Sequence, residues 1–302
     1  MTLPQPLARW WEILRDYAKR VWVNSGEDDI FFLASGIAFN ILLAAVPFVF
    51  LVISGLAYAL GLTPDDSFAK VSILLDRFLP PHPEDTDAGV HRLIGDIVGA
   101  RQRLGIYGAL TFIWFSTRLF GSLRAVLAEI FDIETPRGIV DGKLFDVKMT
   151  VYSTALLVTY LVINVYVAIA TTRGQSFLGE IGLRQEVMGE LGYIIGRLIA
   201  FLFLVATFFA LYKYLPNRRI RVQQALVGSL TTAFLFEAAR NLWTAYTTSF
   251  DPGSFYTGTL YALVSLVFWV YYSALIFIIG GEVAQAHELR RVRRLQRETF
   301  EN

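Results

Sequence analysis

The sequence predicts an all-α polytopic membrane protein, a bundle of six transmembrane helices, and three observations support this prediction. Of the 302 residues, 55% are hydrophobic and only 18% are charged, whereas soluble domains are about a quarter charged. Three stretches, 30–62, 149–172 and 252–281, contain no Asp, Glu, Lys or Arg, and about 18 such residues suffice for a spanning helix. Lysine and arginine are also distributed unevenly between alternate connecting segments. Three long helices buried in a soluble protein are the alternative, but a soluble core of this size rarely needs uncharged runs of this length.

Three further spans are predicted where one or two charged residues interrupt the apolar pattern: 104–120, 191–215 and 222–247. The last of them has the weakest signal, because it holds both an acid and a base. Together with the three uncharged runs they give six spans, which we expect to form one transmembrane domain over residues 30–284.

The positive charges predict the orientation of these spans. With a cytoplasmic N-terminus, 17 of the 27 lysines and arginines lie in inward-facing segments, 7 lie in outward-facing segments and 3 lie within spans. Cytoplasmic loops are enriched in Lys and Arg, so we expect both termini in the cytoplasm. The inward segments are 1–29, 124–148, 213–221 and 285–302, and the outward segments are 63–103, 173–189 and 248–257.

The N-terminal segment 1–29 has an amphipathic pattern. Four large residues of 8–23 share one helical face: Trp10, Leu14, Tyr17 and Val21. This pattern predicts an interfacial helix on the inner membrane surface. A solvated helix packed on the rest of the protein is the alternative.

The outward segment 63–103 is too long for a simple turn and is predicted to form an external helical hairpin. Ser67 can cap a first helix that runs to Leu79, and the prolines that follow end it. A second amphipathic helix follows, with Val90, Ile94 and Ile97 on one side. The hairpin can serve as a lid over a cavity or as an inert cap, and the sequence leaves both interpretations open.

The charge balance argues against a nucleic-acid partner. The net charge is +1, whereas nucleic-acid-binding domains are strongly basic. The five arginines of the basic tail 285–302 follow a predicted span directly, so we expect them to meet anionic headgroups. The bilayer and its anionic lipids are therefore the expected partners, together with an anionic or polar substrate.

Charges inside the predicted spans are the strongest candidates for function. A lone charge at the bilayer centre costs about 2.5 kcal/mol or more, so such residues face the protein interior and find partners. Glu237 and Arg240 are three residues apart and can pair on one helical face. The remaining arginines, Arg118 and Arg197, can bind an anionic group. Two alternatives stay open: Arg118 and Arg197 can extend to the interface, and the Glu237–Arg240 pair can be purely structural.

Asn40 and Glu282 complete the predicted substrate-binding set of Arg240, Glu237, Asn40, Arg118, Arg197 and Glu282. The first span holds 33 residues, or about 50 Å of helix against a hydrocarbon core of about 30 Å. It must tilt, protrude or bend, and Pro47 removes a backbone hydrogen bond near its middle. A bent helix with Asn40 at this depth can line a cavity, and a kink that serves only packing is the alternative. Glu282 follows two glycines at the inner end of the last span, where it can support helix packing or a gate.

No catalytic motif is found. His82, His91 and His287 lack the spacing of metal ligands, and the chain has no cysteine. Neither a phosphate-binding GxxxxGK[ST] motif nor a GxSxG motif occurs. We therefore expect a protein that is not an enzyme and that needs no metal or cofactor.

Three segments resemble the YihY/BrkB family of bacterial inner-membrane proteins: ASGIAFNILLAAVPFVF at 34–50, YKYLPNRRIRVQQALVGSLTTAFLFEAARNLW at 212–243 and YTGTLYALVSLVFWVYYSALIFIIGGEV at 256–283. The resemblance covers nearly the whole chain and implies a multi-pass protein of the inner membrane. It brings no catalytic or binding residues. Some members carry the label ribonuclease BN, which the lack of a metal-ligand cluster in this sequence does not favour.

Three functional hypotheses follow. The leading one is a passive transporter, channel or lipid-translocating protein for an anionic or polar solute or lipid. The second is a non-transporting scaffold or envelope-integrity protein, in which the arginines only stabilise the bundle. The third, a membrane-bound hydrolase or nuclease, has the least support in the sequence.

Overall fold

The structure is a computed structural model that describes residues 5–60, 110–134, 138, 140–155, 185–249 and 259–301. Within these residues the regular structure is helical and no strand occurs, which confirms the all-α prediction. The helices are α1 Gln5–Glu27, α2 Ile30–Leu60, α3 110–130, α4 140–155, α5 Gln185–Tyr214, α6 Val222–Ser249 and α7 Thr259–Glu301. The predicted external hairpin at 63–103 lies outside the described residues.

Helices α1 and α2 meet at a sharp joint. Asp29 has a φ of 47°, in the left-handed region where a non-glycine residue ends a helix. Its carbonyl then accepts hydrogen bonds from the backbone N–H groups of Phe32 and Leu33, at 2.8 and 3.1 Å, in the first turn of α2. The two helix axes differ in direction by 72°. The bend directs α1 away from the line of α2, and the position of α1 at the inner membrane surface stays a prediction.

Helix α7 is central to the described structure. It contacts α1, α2 and α6, and α6 in turn packs against α5. The α6–α7 contact is close because small residues meet there: a Cβ atom on Gly228 would lie 2.9 Å from the Cβ of Ala284, and one on Gly280 would overlap the Thr232 side chain. Small residues at such crossings let helix backbones approach closely within a membrane.

One buried hydroxyl joins three helices. Tyr212 of α5 is fully buried, and its hydroxyl donates to the Phe277 carbonyl of α7 at 2.5 Å. The same oxygen lies 2.7 Å from Oγ1 of Thr232 in α6. Because buried polar groups in proteins are nearly always hydrogen-bonded, this contact determines how the three helices are rotated relative to one another.

Two helices of the described residues are long and apolar enough to cross a membrane, over Arg197–Tyr214 in α5 and Leu263–Thr299 in α7. The bent pair Arg15–Glu27 and Ile30–Ala45 provides a third if it is counted as one span. Residues 104–109 and 156–172 of the predicted spans 104–120 and 149–172 lie outside the described residues. Helix α6 covers the predicted span 222–247 but is not among the described helices that are apolar enough to cross a membrane. The total of six spans therefore stays a prediction.

Helices α3 and α4 extend beyond the apolar runs that predicted them. Helix α3 continues to residue 130, and α4 already begins at 140, so both extend into the segment 124–148 that we interpreted as a cytoplasmic connection. Arg124 of α3 pairs there with Asp146 of α4 at 3.2 Å, and the Asp146 side chain is only 1% exposed. Hydropathy indicates which part of a helix lies in lipid. The helix itself can continue beyond that part when polar side chains, here Arg124 and Asp146, pair with each other.

Candidate functional site

Two arginines share one carboxylate between α5 and α6. Oε1 of Glu237 accepts hydrogen bonds from Nη2 of Arg197 at 2.7 Å and from Nη2 of Arg240 at 2.8 Å. The Glu237–Arg240 pair expected from their spacing therefore forms, and Arg197 joins it from the neighbouring helix. We call these three residues the arginine–glutamate cluster. Two guanidinium groups and one carboxylate leave it with an excess of one positive charge.

The loop between α5 and α6 indicates how deep this cluster lies. Arg197 precedes the end of α5 at Tyr214 by 17 residues, and Arg240 follows the start of α6 at Val222 by 18 residues. At about 1.5 Å per residue, both arginines lie roughly 26 Å along the helix axes from the loop. The hydrocarbon core is about 30 Å thick. If the basic loop lies at the inner surface, the cluster is near the outer surface. This favours the interpretation that the Arg197 side chain extends to the membrane–water interface, and the same then applies to Arg240.

The cluster is open on one side. The side chains of Arg197 and Arg240 are 48% and 46% exposed, and that of Glu237 is 27% exposed. Ion pairs this exposed contribute at most about 1 kcal/mol each to stability. A guanidinium carries five N–H donors, so the contact with Glu237 engages only part of the donors of Arg240. The arrangement can accept a further anionic group without losing the pair.

Aromatic side chains of α6 and α7 lie near the same level of the helices as the cluster. The ring of Trp269 lies 5.5 Å from that of Phe236 and 6.1 Å from that of Trp243, and Trp243 also contacts Tyr246 at 6.1 Å. Tryptophan and tyrosine are enriched where a membrane protein meets the headgroups. These rings agree with a position near the membrane surface.

Asn40 and Arg118 do not join the cluster in the described part of the chain. The Asn40 amide donates to the Gly36 carbonyl of its own helix at 2.8 Å. Arg118 is exposed on α3, and no ion pair links it to a described acidic residue. Their roles in substrate binding stay predictions.

A cavity of about 290 Å³ lies between α2, α3 and α4. Helix α2 stays helical across Pro47 and lines one wall through Ile41 and Ala44, directly after Asn40. Among the described residues that line the cavity none is charged, and the polar groups are the hydroxyls of Ser116, Thr150, Ser153 and Thr154. Mostly apolar walls with a few hydroxyls suit an acyl chain or a small neutral solute better than an inorganic anion.

Glu282 occupies a different kind of environment, at the contact of α7 with the α1–α2 joint. Its side chain is fully buried, and neither carboxylate oxygen has a hydrogen-bond partner among the described residues. Asp28, Asn24 and Asp132 are close enough to act on it electrostatically, and Gln285 donates to Asp132 Oδ2 at 2.8 Å. In the described part of the chain, no group of three or more such side chains has the geometry to hold a metal ion.

Two polar contacts outside the predicted set emerge from the structure. One is the Arg124–Asp146 ion pair between α3 and α4. The other joins the Tyr17 hydroxyl to His287 Nδ1 at 2.7 Å, across 270 residues of sequence. The helical spacing of Tyr17 identified the face on which it lies. The partner of that face could not be identified from spacing within one helix.

The chain is similar to a family of membrane proteins over nearly its whole length. Residues 21–301 match the family model described as virulence factor BrkB. A UPF0761 membrane protein of Pelodictyon phaeoclathratiforme is 27% identical over 271 residues, which cover 89% of this chain and 59% of the relative. A UPF0761 membrane protein of Chlorobium chlorochromatii is 26% identical over 86% of this chain and 56% of its own length.

The relatives differ in length. The chain spans less than two thirds of these two proteins, whereas a UPF0761 membrane protein of Cronobacter sakazakii is 27% identical over 99% of this chain and 98% of the relative. No solved structure matches the chain.

Proposed function

Because the chain belongs to the virulence factor BrkB family of membrane proteins, we propose that it passively moves an anionic or polar solute or lipid across the bacterial inner membrane. It would act as a transporter, channel or lipid-translocating protein, with both termini in the cytoplasm. The observation that carries this proposal is the arginine–glutamate cluster of Arg197, Glu237 and Arg240, with its excess positive charge. Enzymatic activity and a cofactor are not part of the proposal.

The cluster supports this function through its charge and its openness. A positively charged site at the surface raises the local concentration of anions, and charge-assisted hydrogen bonds from guanidinium groups bind carboxylate or phosphate in two-pronged geometry. Glu237 holds both guanidiniums in place before a ligand arrives. An incoming anion therefore meets ordered donors, and less conformational entropy is lost on binding.

The apolar cavity between α2, α3 and α4 favours an amphipathic substrate over an inorganic anion. Its hydroxyl groups can replace part of the hydration shell of a polar group, and its apolar wall can contact a hydrocarbon chain. An anionic lipid has both kinds of group.

A second candidate is a non-transporting scaffold or envelope-integrity protein. The close packing at Gly228 and Gly280 and the buried Tyr212–Thr232 contact favour a rigid α5–α6–α7 unit. In that case the arginine–glutamate cluster would only hold α5 against α6.

Flux measurements in liposomes distinguish the two candidates. The purified protein is reconstituted, and the movement of a fluorescent phosphatidylglycerol, an organic carboxylate and a neutral polyol is compared with that in empty vesicles. We expect flux of the lipid or the carboxylate. Arg197→Gln with Arg240→Gln should reduce it at least tenfold, because a single charge-assisted hydrogen bond contributes about 1.5–3 kcal/mol and about 1.4 kcal/mol corresponds to a factor of ten.

The exposed loop residue Arg219 provides the matched control. Arg219→Gln removes a positive charge at the other end of the same hairpin and should leave the flux unchanged. Absence of flux for all three solutes would contradict the transport proposal and favour the scaffold.

A further inference from the structure

A second positively charged site lies between α1 and the C-terminal part of α7. A cavity of about 240 Å³ is lined there by Tyr17 of α1 and by four residues of α7, which we call together the basic pocket: His287, Arg290, Arg291 and Arg294. The α7 residues recur at intervals of three and four, so they share one helical face. That face is turned towards α1, which packs on α7.

Tyr17 contacts two side chains of α7 in the basic pocket, His287 and Arg290. Its hydroxyl lies 2.7 Å from His287 Nδ1, and the two rings are stacked with their centroids 6.4 Å apart. The guanidinium of Arg290 lies 5.6 Å from the centroid of the Tyr17 ring, within the range of a cation–π contact. One aromatic side chain of α1 therefore positions an imidazole and a guanidinium group of α7.

The positive charges of the basic pocket are only partly balanced. Glu288 lies 3.5 Å from Arg291 but is shared with Arg221 at 3.3 Å. Nη1 of Arg290 is buried and has no hydrogen-bond partner among the described residues. A buried N–H donor without an acceptor destabilises the folded protein. An anionic ligand in the cavity would supply the acceptor.

The neighbouring acid on α1 does not fill this role. Asp16 pairs with Arg20 of its own helix at 3.2 Å, so its carboxylate is already engaged. Arg294, one turn beyond Arg290, has no ion pair with a described acidic residue. The pocket thus presents at least two guanidinium groups to a common space.

We propose that the basic pocket binds a phosphate group, carried either by the headgroup of an anionic lipid or by a free phosphate. The planar fork of arginine matches phosphate oxygens in a bidentate manner. The Tyr17 hydroxyl lies in the same cavity and can donate to phosphate when His287 Nδ1–H is the donor of the Tyr17–His287 hydrogen bond. The volume is below that of pockets for drug-sized ligands, about 300–1,000 Å³, and fits a headgroup. This site is distinct from the arginine–glutamate cluster and does not depend on transport activity.

Ligand binding to the full-length protein in neutral detergent tests the proposal. The probes are inorganic phosphate, dihexanoyl phosphatidylglycerol and, as a zwitterionic comparison, dihexanoyl phosphatidylcholine, titrated at constant ionic strength set with chloride. The readout is the ligand-dependent shift of the thermal unfolding midpoint. We expect a saturable upward shift with phosphatidylglycerol. Additional binding of inorganic phosphate would identify phosphate itself as sufficient, and its absence would identify the lipid as the source.

Two double variants of α7 can be compared, because each removes two positive charges. Arg290→Gln with Arg294→Gln removes two guanidiniums from the pocket, and Arg293→Gln with Arg297→Gln removes two exposed guanidiniums of the same helix that do not line it. The first should weaken phosphatidylglycerol binding about tenfold or more, as expected for lost charge-assisted contacts, and the second less than about twofold. Tyr17→Phe retains the aromatic ring, so we expect this variant to fold. It should weaken phosphatidylglycerol binding less than the Arg290/Arg294 double variant and more than the Arg293/Arg297 double variant.

Two outcomes would overturn the proposal. One is an equal loss of binding in both double variants, since that would indicate diffuse attraction by the basic tail. The other is no saturable shift of the wild-type midpoint with either phosphate or phosphatidylglycerol. Both outcomes are measured as shifts of the unfolding midpoint and do not depend on flux. A negative result for the basic pocket can therefore be told apart from a negative result for the transport proposal.

Discussion

Arg197 of α5 contacts Glu237 of α6 at 2.7 Å, a distance as short as the 2.8 Å between Glu237 and Arg240 on the same helix. The interhelical contact means that the carboxylate ties the two helices together far from the loop that connects them. A pair formed only within α6 would not connect α5 to α6 at this level of the helices. The dual role of Glu237 leads to the first prediction.

Glu237→Gln should destabilise the protein more than Arg240→Gln. The first leaves two guanidiniums side by side without their carboxylate, whereas the second leaves the Arg197–Glu237 pair intact. Because all three side chains are partly exposed, we expect a loss of about 1 kcal/mol for Glu237→Gln, measured as a lower unfolding midpoint in detergent.

Combining Glu237→Gln with Arg240→Gln should relieve the repulsion between the arginines and recover most of that stability. We expect the double variant to fold and insert normally but to lose flux, because the proposed transport requires Arg240 to contact the substrate. Wild-type flux in the double variant would contradict substrate contact and favour the scaffold.

Tyr212→Phe should lower the free energy of unfolding by about 1 kcal/mol, in the range of membrane hydrogen bonds between helices. The phenol is fully buried, and its removal leaves Thr232 without that partner. Tyr271→Phe is a matched control, because the Tyr271 hydroxyl reaches the Phe31 carbonyl only at 3.4 Å in an exposed position. Equal effects of the two variants on the unfolding midpoint would argue against a structural role of the buried hydroxyl.

Gly280→Ala should be strongly destabilising, by about 1–3 kcal/mol as for an overpacked core. The added methyl group would overlap the Thr232 side chain and lie 2.7 Å from the Tyr212 hydroxyl oxygen. Gly36→Ala should be tolerated, because nothing lies within 4 Å of its Cβ position. The stability of both variants is measured from the folded yield and the unfolding midpoint. A Gly280→Ala variant as stable as the wild type would show that α6 and α7 are less closely packed than described.

Glu282→Gln should stabilise the protein. A buried carboxylate beside the acid Asp28 is costly when charged, and the amide keeps the shape without the charge. We expect an increase of about 1 kcal/mol or more in the free energy of unfolding at neutral pH. Glu129→Gln, at an exposed position of α3, should leave it nearly unchanged.

A decrease in stability for Glu282→Gln would instead mean that the carboxylate binds a cation. Loss of flux without loss of stability would support the predicted role of Glu282 in substrate binding.

Labelling of introduced cysteines tests the predicted topology. The chain has no native cysteine, so Asp85→Cys and Arg219→Cys each give a single reactive site. Asp85 belongs to the predicted outward segment and lies outside the described residues, whereas Arg219 lies in the basic loop between α5 and α6. An impermeant thiol reagent added outside intact cells should modify only the first, and the reverse pattern would invert the orientation.

The amino-acid sequence alone determined the helical class and the local pairs. Uncharged runs predicted α2 from its first residue at Ile30. The Glu237–Arg240 contact followed from a spacing of three residues, because neighbours on one helical face are set by the helix geometry itself.

Only the tertiary structure decided which helices meet and at what level. Arg197 and Glu237 are 40 residues apart, and Tyr17 and His287 are 270 apart. Such contacts depend on the rotation and relative height of whole helices, which tertiary packing decides and no local sequence pattern contains. The burial of Glu282 beside Asp28 has the same origin: a residue expected at the end of a span is enclosed because the α1–α2 joint packs over it.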